Sequence, residues 1–512
     1  MSPVVYLIGG GPGDPELVTL KAVRCLQRAD LVLYDALVHP DLLKHCRPDA
    51  ERVFVGKRAG RPHERQAEIN QRLIDGARAG RMVARLKGGD PYLFGRGSEE
   101  AEALAQAGVQ FEVVPGVASP SAAAAYAGLS LTHRDLSSSV AYLTATESPD
   151  KDASAHDWSK LATATQTLVI FMGVRKLAGL MQLLMSHGRS GDCPAAVIQS
   201  ASLPAQRTVV GTVSDIAAKA EAARIGMPAL TIVGEVVGLR ERLRWFDRKP
   251  LFGVRVLVTR AAEQAESLAQ ALRERGAAAI ELPMIRIEPP RDAAPLTAAV
   301  QALRSYHWLV FTSQNGVRAF FAELARQGFD SRQLHGLRIA AIGPSTAEAL
   351  EPYGVRADLV PSSFRGEALA ESMLREQGDT MQGVRVLLPR AAVARDVLPE
   401  TLRAAGASVD VVEAYRTEGA TPEAAAYLRQ LIERKELDVI AFTASSTVQH
   451  TLAAIGEDAA QRLQGLTFAS IGPITTDTAT AHGLHVALTA DEYTIPGLVA
   501  ALEHHYSQLS HS

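Results

Sequence analysis

Cysteine is scarce in this 512-residue chain. Cys25, Cys46 and Cys193 are the whole set, and no two form a CxxC pair. That spacing excludes a disulfide framework and a zinc knuckle, and a reducing, cytoplasmic setting is expected. No stretch approaches ~18 uninterrupted apolar residues, so no membrane span is expected. No basic segment precedes an apolar one at the start, so no signal peptide is expected either. Neither sign of charge dominates: the formal net charge is −3. A nucleic-acid partner would call for a strongly basic surface. An anionic ligand would need local clusters of cations instead of a global field.

What is present is a rhythm. Short apolar runs alternate with helical patterns along the chain, among them "LVLYD", "VARLKGGD", "TLVIFMG", "VRVLVTR", "WLVFTS", "RIAAIG" and "DVIAFTAS". The alternation predicts an α/β protein with largely parallel sheets, of three or four compact units. Composition breaks most clearly at "RLRWFDRKPLFG", which places the main boundary near 248–252. A softer seam lies at "PGVASPS" near 115–120, and the polar stretch 147–157 reads as a loop.

The C-terminal half repeats itself. "GVRVLVTRAAEQAESLAQALRERGA" from Gly253 matches "GVRVLLPRAAVARDVLPETLRAAGA" from Gly383. "LVFTSQNGV" (309–317) matches "VIAFTASSTV" (439–448), and "IAAIGPSTAEAL" (339–350) matches "FASIGPITTDTA" (468–479). Three matches in one order, all offset by about 130 residues, predict two similar α/β lobes with a binding cleft between them.

The opening "VVYLIGGGPGDPE" (4–16) resembles a dinucleotide loop but departs from it. The fingerprint G-x-G-x-x-G needs a third glycine, where this chain has Asp14 or, one register on, Glu16. Pro12 and Pro15 remove two N–H donors from any phosphate cradle. Asp35, closing the next strand, still stands about where a ribose-binding acid would. A nucleotide-dependent oxidoreductase, joined to a two-lobed small-ligand-binding module, therefore stays open as the alternative on residues alone.

Further motifs follow in order: "GKRAGRPHERQAEIN", "VARLKGGDPYLFGRGSEEAEAL", "FEVVPGVASPSAAAAYAGLSLTHRD" and "VGEVVGLRERLRWF". With the opening loop they resemble the uroporphyrinogen-III C-methyltransferases of the tetrapyrrole methylase family, over about 3–246. The resemblance implies a two-lobed methylase fold over 1–248, with lobes of about 1–115 and 116–248. It also implies S-adenosylmethionine as methyl donor, no metal, and a homodimer. The implied reaction methylates C2 and C7 of uroporphyrinogen III to give precorrin-2, on the way to sirohaem or cobalamin. Pro12, Gly88, Gly89, Asp90, Leu93, Ala118, Ser119, Met172 and Ala201 would line the cofactor site. Ala201 stands in "QSASLPAQ", where many members have glycine. Asp35 would serve as base and Lys57 as acid. Cations at Lys57, Arg58, Arg61, His63, Arg65, Arg85 and Lys87 would suit a substrate bearing carboxylates.

The second half, "VLVTRAAEQAESLAQALRERGAAAIELPMIRIEP", "FTSQNGVRAFF", "IAAIGPSTAEAL" and "VVEAYRT", resembles uroporphyrinogen-III synthase over about 253–505. The resemblance implies two similar flavodoxin-like or Rossmann-like lobes, 253–284 with 417–505 and 285–414. Extended crossings at 282–289 and 411–417 would join them. The implied reaction closes hydroxymethylbilane to uroporphyrinogen III with inversion of ring D. Arg260, Ser313, Asn315, Arg390, Ser445 and Thr475 are the candidate substrate contacts at strand ends, and Tyr415 the residue suggested to help water leave.

Overall fold

The computed structural model describes residues 4–56, 66–146, 156–378, 380–394 and 396–509. It contains four five-stranded sheets. Two units emerge from backbone proximity. One runs to Val254 and includes Leu272–Ala278; the other is Arg255–Ala271 with Ala279 onward.

In the first unit, β1 (Val5–Gly9), β2 (Leu31–Tyr34), β3 (Glu51–Phe54), β4 (Val83–Lys87) and β5 (Phe111–Val114) form a sheet in the order β3-β2-β4-β1-β5. All its pairings are parallel. Alternate residues explain why it is covered on both sides. Ile8, Val32 and Leu86 pack with Leu26, whereas Leu7, Leu33 and Val83 pack with Leu73 and Leu104. After β1 the chain turns toward β2, and after β4 it turns the other way toward β5. The adjacent ends of β1 and β4 thus form a switch point, where open α/β sheets bind ligands.

The second sheet holds β6 (Val140–Thr144), β7 (Thr167–Phe171), β8 (Pro194–Gln199), β9 (Arg207–Thr212) and β10 (Ala229–Val233), in the order β6-β7-β10-β8-β9. Here the expectation of parallel pairing fails: only β6 and β7 run parallel, and the other three pairings are antiparallel. Residues 200–206 between β8 and β9 are too few for a crossover, which takes a dozen or more, so the chain folds straight back.

The second unit contains β11 (Arg255–Val258), β12 (Ala278–Glu281), β13 (Ile285–Glu288), β14 (Trp308–Phe311), β15 (Arg338–Ala341), β16 (Arg385–Ala391), β17 (Ser408–Gly419), β18 (Val439–Phe442), β19 (Thr467–Ser470) and β20 (Val486–Thr489). They form one sheet in the order β12-β11-β18-β19-β20 and another in the order β13-β17-β16-β14-β15. The chain leaves the first sheet after β12 and returns to it after β17. Residues 411–417, expected as the returning crossover, lie inside β17, because its backbone pairs with β16 and then, antiparallel, with β13.

The repeats do not each fold into one lobe. Strand β11 opens the first repeat but pairs with β18 of the second; β16 opens the second repeat but pairs with β14 of the first. The series β12-β11-β18-β19 and β17-β16-β14-β15 place corresponding segments in the same order, so the lobes are alike and the repeats are exchanged between them.

Candidate functional site

The glycines after the strands of the first sheet permit backbone to touch backbone. A Cβ on Gly9 would stand 2.5 Å from Gly116 N and 2.7 Å from Gly89 O; one on Gly116 would stand 2.3 Å from Gly89 O. Gly11 and Gly89 bond reciprocally, and Gly10 N–H donates to Lys87 O. Asp14 N–H donates to Ser202 Oγ, Glu16 N–H to Asp14 Oδ1, and Leu17 N–H to Asp14 O. Pro12 and Pro15 have no N–H to give. Gly13 is left as the only backbone donor from Gly10 to Leu17 without an acceptor among the described residues. A diphosphate needs several such donors, so this loop cannot cradle one. The Asp14 carboxylate is engaged, accepting from Tyr126 O–H at 2.7 Å, and this bond ties the loop to the helix Ser119–Tyr126.

Beside this junction lies a cavity of about 610 Å³. Nine expected residues line it: Asp35, Arg85, Lys87, Gly88, Gly89, Asp90, Leu93, Ser119 and Met172. Pro12, Ala118 and Ala201, also expected there, are not among the residues that line it. Ala118 precedes the helix that Ser119 opens, and the Ala201 carbonyl lies 2.8 Å from where a Gly13 Cβ would stand. Lys57, Arg58, Arg61, His63 and Arg65 fall outside the described residues. The Asp90 carboxylate accepts from Tyr92 N–H and Gly116 N–H, so it fixes the loop after β4 against the end of β5.

Sequence reasoning did not single out Gln66, Phe94, Arg96 or Phe171, which also line the cavity. Phe94 and Arg96 sit inside the quoted "GGDPYLFGRG". Phe94, Arg96 and Met172 all have positive φ, at 53°, 60° and 55°. Side-chain-bearing residues adopt that region at a cost, and three of them cluster in the lining of this cavity. Phe94 also packs on Phe171, with ring centroids 4.7 Å apart.

The polar floor is built on β4. Arg85 Nη2 reaches Asp35 Oδ2 at 3.4 Å, and Arg85 Nε reaches Glu100 at 3.0 Å. Asp35 also accepts from Leu37 N–H at 3.2 Å, which sets its carboxylate at the strand end facing the cavity. The arrangement offers one orientable carboxylate in a partly apolar chamber, suited to proton transfer.

In the second unit, Ser313, Asn315 and Tyr415 come together. Ser313 Oγ and Tyr415 Oη are 2.9 Å apart, and Ser313 also caps its helix by accepting from Gly316 N–H. Asn315 Oδ1 accepts from Gln264 Nε2 at 2.8 Å, and Arg260 Nη2 donates to Gln264 Oε1 at 3.4 Å. This chain of contacts runs from the sheet of β11 to that of β14. Gln264 was not anticipated. Burial pushes the Tyr415 phenol up against the opposing pull of Ser313 and Asn315, so it stays protonated and able to donate. The remaining candidates lie apart. Arg390 pairs with Asp396 and lines a separate cavity of about 190 Å³. Ser445 Oγ meets Thr478 Oγ1 at 2.7 Å, while Thr475 is buried. Among the described residues no His, Cys, Asp and Glu cluster could hold a metal ion, and no helix is long and apolar enough to cross a membrane.

Comparison with known proteins divides the chain in the same two parts. Residues 4–217 match the tetrapyrrole (corrin/porphyrin) methylases, and residues 266–500 match uroporphyrinogen-III synthase HemD. A porphyrin biosynthesis protein HemD of Ruminiclostridium josui is 37% identical over 500 residues, covering 97% of each chain. A uroporphyrinogen-III C-methyltransferase of Bacillus subtilis is 40% identical over 352 residues, 69% of this chain and 72% of the relative. Among solved structures, a Thermus thermophilus uroporphyrin III C-methyl transferase is 42% identical, with a TM-score of 0.40 over 46% of this chain and 99% of its own. With a relative matched from end to end and both halves assigned, this chain belongs to the tetrapyrrole methylases through its first part and to the uroporphyrinogen-III synthases through its second.

Proposed function

We propose that the second half cyclises hydroxymethylbilane to uroporphyrinogen III and that the first half methylates this product at C2 and C7, giving precorrin-2. The observation that carries the methyl-transfer reading is the loop after β1, whose backbone donors are consumed internally. Such a site repels a dinucleotide yet leaves room for a cationic nucleoside without phosphate, as S-adenosylmethionine is. When bound, that cofactor supplies a methyl group on a positively charged sulfur. Gly88, Gly89, Leu93, Ser119 and Met172 would enclose it, with Pro12, Ala118 and Ala201 at its border. Asp35, held by Arg85, takes the proton released from the methylated ring, and Lys57 serves as the opposing acid.

In the second half, Tyr415 donates its proton to the departing hydroxyl of the bilane, while Ser313 orients the phenol. Arg260, Asn315, Arg390, Ser445 and Thr475 are the proposed contacts to the substrate and its carboxylates. The domains would span 1–248 and 253–505. The resemblance also implies a homodimer, which light scattering on the full chain reads directly.

The test supplies the full chain with hydroxymethylbilane and the methyl donor and analyses the product by mass spectrometry and isomer separation. A doubly methylated type III product is expected. Uroporphyrinogen I alone would overturn the synthase assignment, and unmethylated uroporphyrinogen III would overturn the methylase assignment. Tyr415→Phe keeps the ring but removes the donor. It is expected to slow cyclisation about tenfold, since much of the bilane's reactivity is intrinsic. A wild-type rate in stopped-flow assay would remove Tyr415 from the mechanism.

A further inference from the structure

Two cations of β4, one central and one at its end, are not solvated. The side chains of Arg85 and Lys87 are each 5% exposed, and both line the cavity. They converge on Glu100, which is fully buried on the helix Gly97–Gln106. A single oxygen, Oε1, accepts from Arg85 Nε at 3.0 Å, Lys87 Nζ at 2.9 Å and Gln66 Nε2 at 3.1 Å. The other oxygen, Oε2, is buried with no hydrogen-bond partner among the described residues. A carboxylate left half-satisfied in the interior costs free energy, so its retention asks for a role.

The two cations differ in what they have left to offer. Arg85 has bonds to Glu100, Asp35 and the carbonyls of Leu33 and Leu86. Its fork is committed inside the protein. Among the described residues Lys87 has a single such bond, to Glu100. An ammonium carries three N–H groups, so two remain for a guest in the cavity.

We propose that Lys87 binds a carboxylate of the tetrapyrrole and that Glu100 is the positioning residue that holds Lys87 in place and keeps it charged. This rests on the methyl-transfer reading above. Among the described residues the charged groups facing Lys87 are Arg85 on its own strand, Glu100 and, with a weaker influence, Glu99 from the helix Gly97–Gln106, and Asp35 from the end of β2; Gln66, from the helix Gln66–Arg78, is neutral. Burial and Arg85 push the ammonium below its ordinary range, and Glu100 and Asp35 oppose them. Without the Glu100 charge, two buried cations would stand side by side. Arginine does not give up its proton, so Lys87 would. A neutral amine has no charge with which to attract a carboxylate.

The experiment uses the full chain and follows methylation of uroporphyrinogen III across pH, with calorimetry of S-adenosylhomocysteine as a second readout. In Glu100→Gln the alkaline limb of kcat/KM is expected to move down by about one pH unit or more, with homocysteine-nucleoside affinity unchanged. Lys87→Met adds no buried charge and covers the case in which the first variant fails to fold. There KM for the tetrapyrrole should rise about tenfold, with kcat retained. An unmoved limb in Glu100→Gln, an unchanged KM in Lys87→Met, or loss of nucleoside binding in Lys87→Met would each overturn the proposal. Wild type that forms no methylated product sinks the functional reading itself. Wild type that methylates while both variants match it sinks this inference alone.

Discussion

Asp35→Asn is expected to stop the pathway at uroporphyrinogen III, with methylation slowed about a thousandfold and cyclisation untouched. The amide preserves the size of the side chain, and its oxygen can still accept from Leu37 N–H, while the 3.4 Å contact from Arg85 to the other oxygen is given up. With that long contact it loses the capacity to take a proton. Any fall in rate with S-adenosylhomocysteine affinity unchanged therefore reports proton transfer and not a disturbed pocket. The readout is the ratio of unmethylated to dimethylated product from one reaction mixture. A variant within about tenfold of wild type would remove Asp35 as the base, because a positioned general base contributes at least about a hundredfold.

Gly9→Ala is the second substitution expected to have a large effect, and it acts by volume alone. The added methyl would meet the Gly116 nitrogen at 2.5 Å and the Gly89 oxygen at 2.7 Å. Both obstacles are backbone, so neither can rotate aside as a side chain could. The ends of β1, β4 and β5 must then separate, breaking the reciprocal Gly11–Gly89 bonds on which the loop depends. Overpacking of this kind costs about 3 kcal/mol, and the same displacement should weaken S-adenosylhomocysteine binding more than about a hundredfold. Thermal unfolding and calorimetry read the two effects. A variant that melts and binds like wild type would mean that the loop adjusts freely, and the rigid-junction account would fall.

Much of this was legible in the sequence, for identifiable reasons. The α/β class follows from apolar runs that recur between helical patterns, and the two-lobed second half follows from matches held at one offset. The antiparallel pairing of β8, β9 and β10 was not legible, because a buried strand looks the same whichever way its neighbour runs. The exchange of strands between repeats is invisible in an offset, which records similarity and not partnership; only the lobe bounds implied by the resemblance, 253–284 with 417–505 and 285–414, anticipated it. At the site, the cavity residues that could be named cluster in motifs, whereas Gln66, Phe94, Arg96 and Phe171, which also line it, were not singled out. Glu100 could not be named as functional, although it occupies a core position of the helical face formed by Gly97, Ala101 and Leu104. A carboxylate at such a position is the one local sign that something charged must lie opposite.

The interleaving of β11 with β18 and of β16 with β14 has a practical outcome for anyone who cuts the protein. Scission near 380 would leave two pieces, each holding strands of both sheets and completing neither. Like two halves of a zip, they would leave the second unit unfolded singly and rebuild it when mixed. Co-expressed fragments should therefore copurify, whereas a fragment made alone should precipitate.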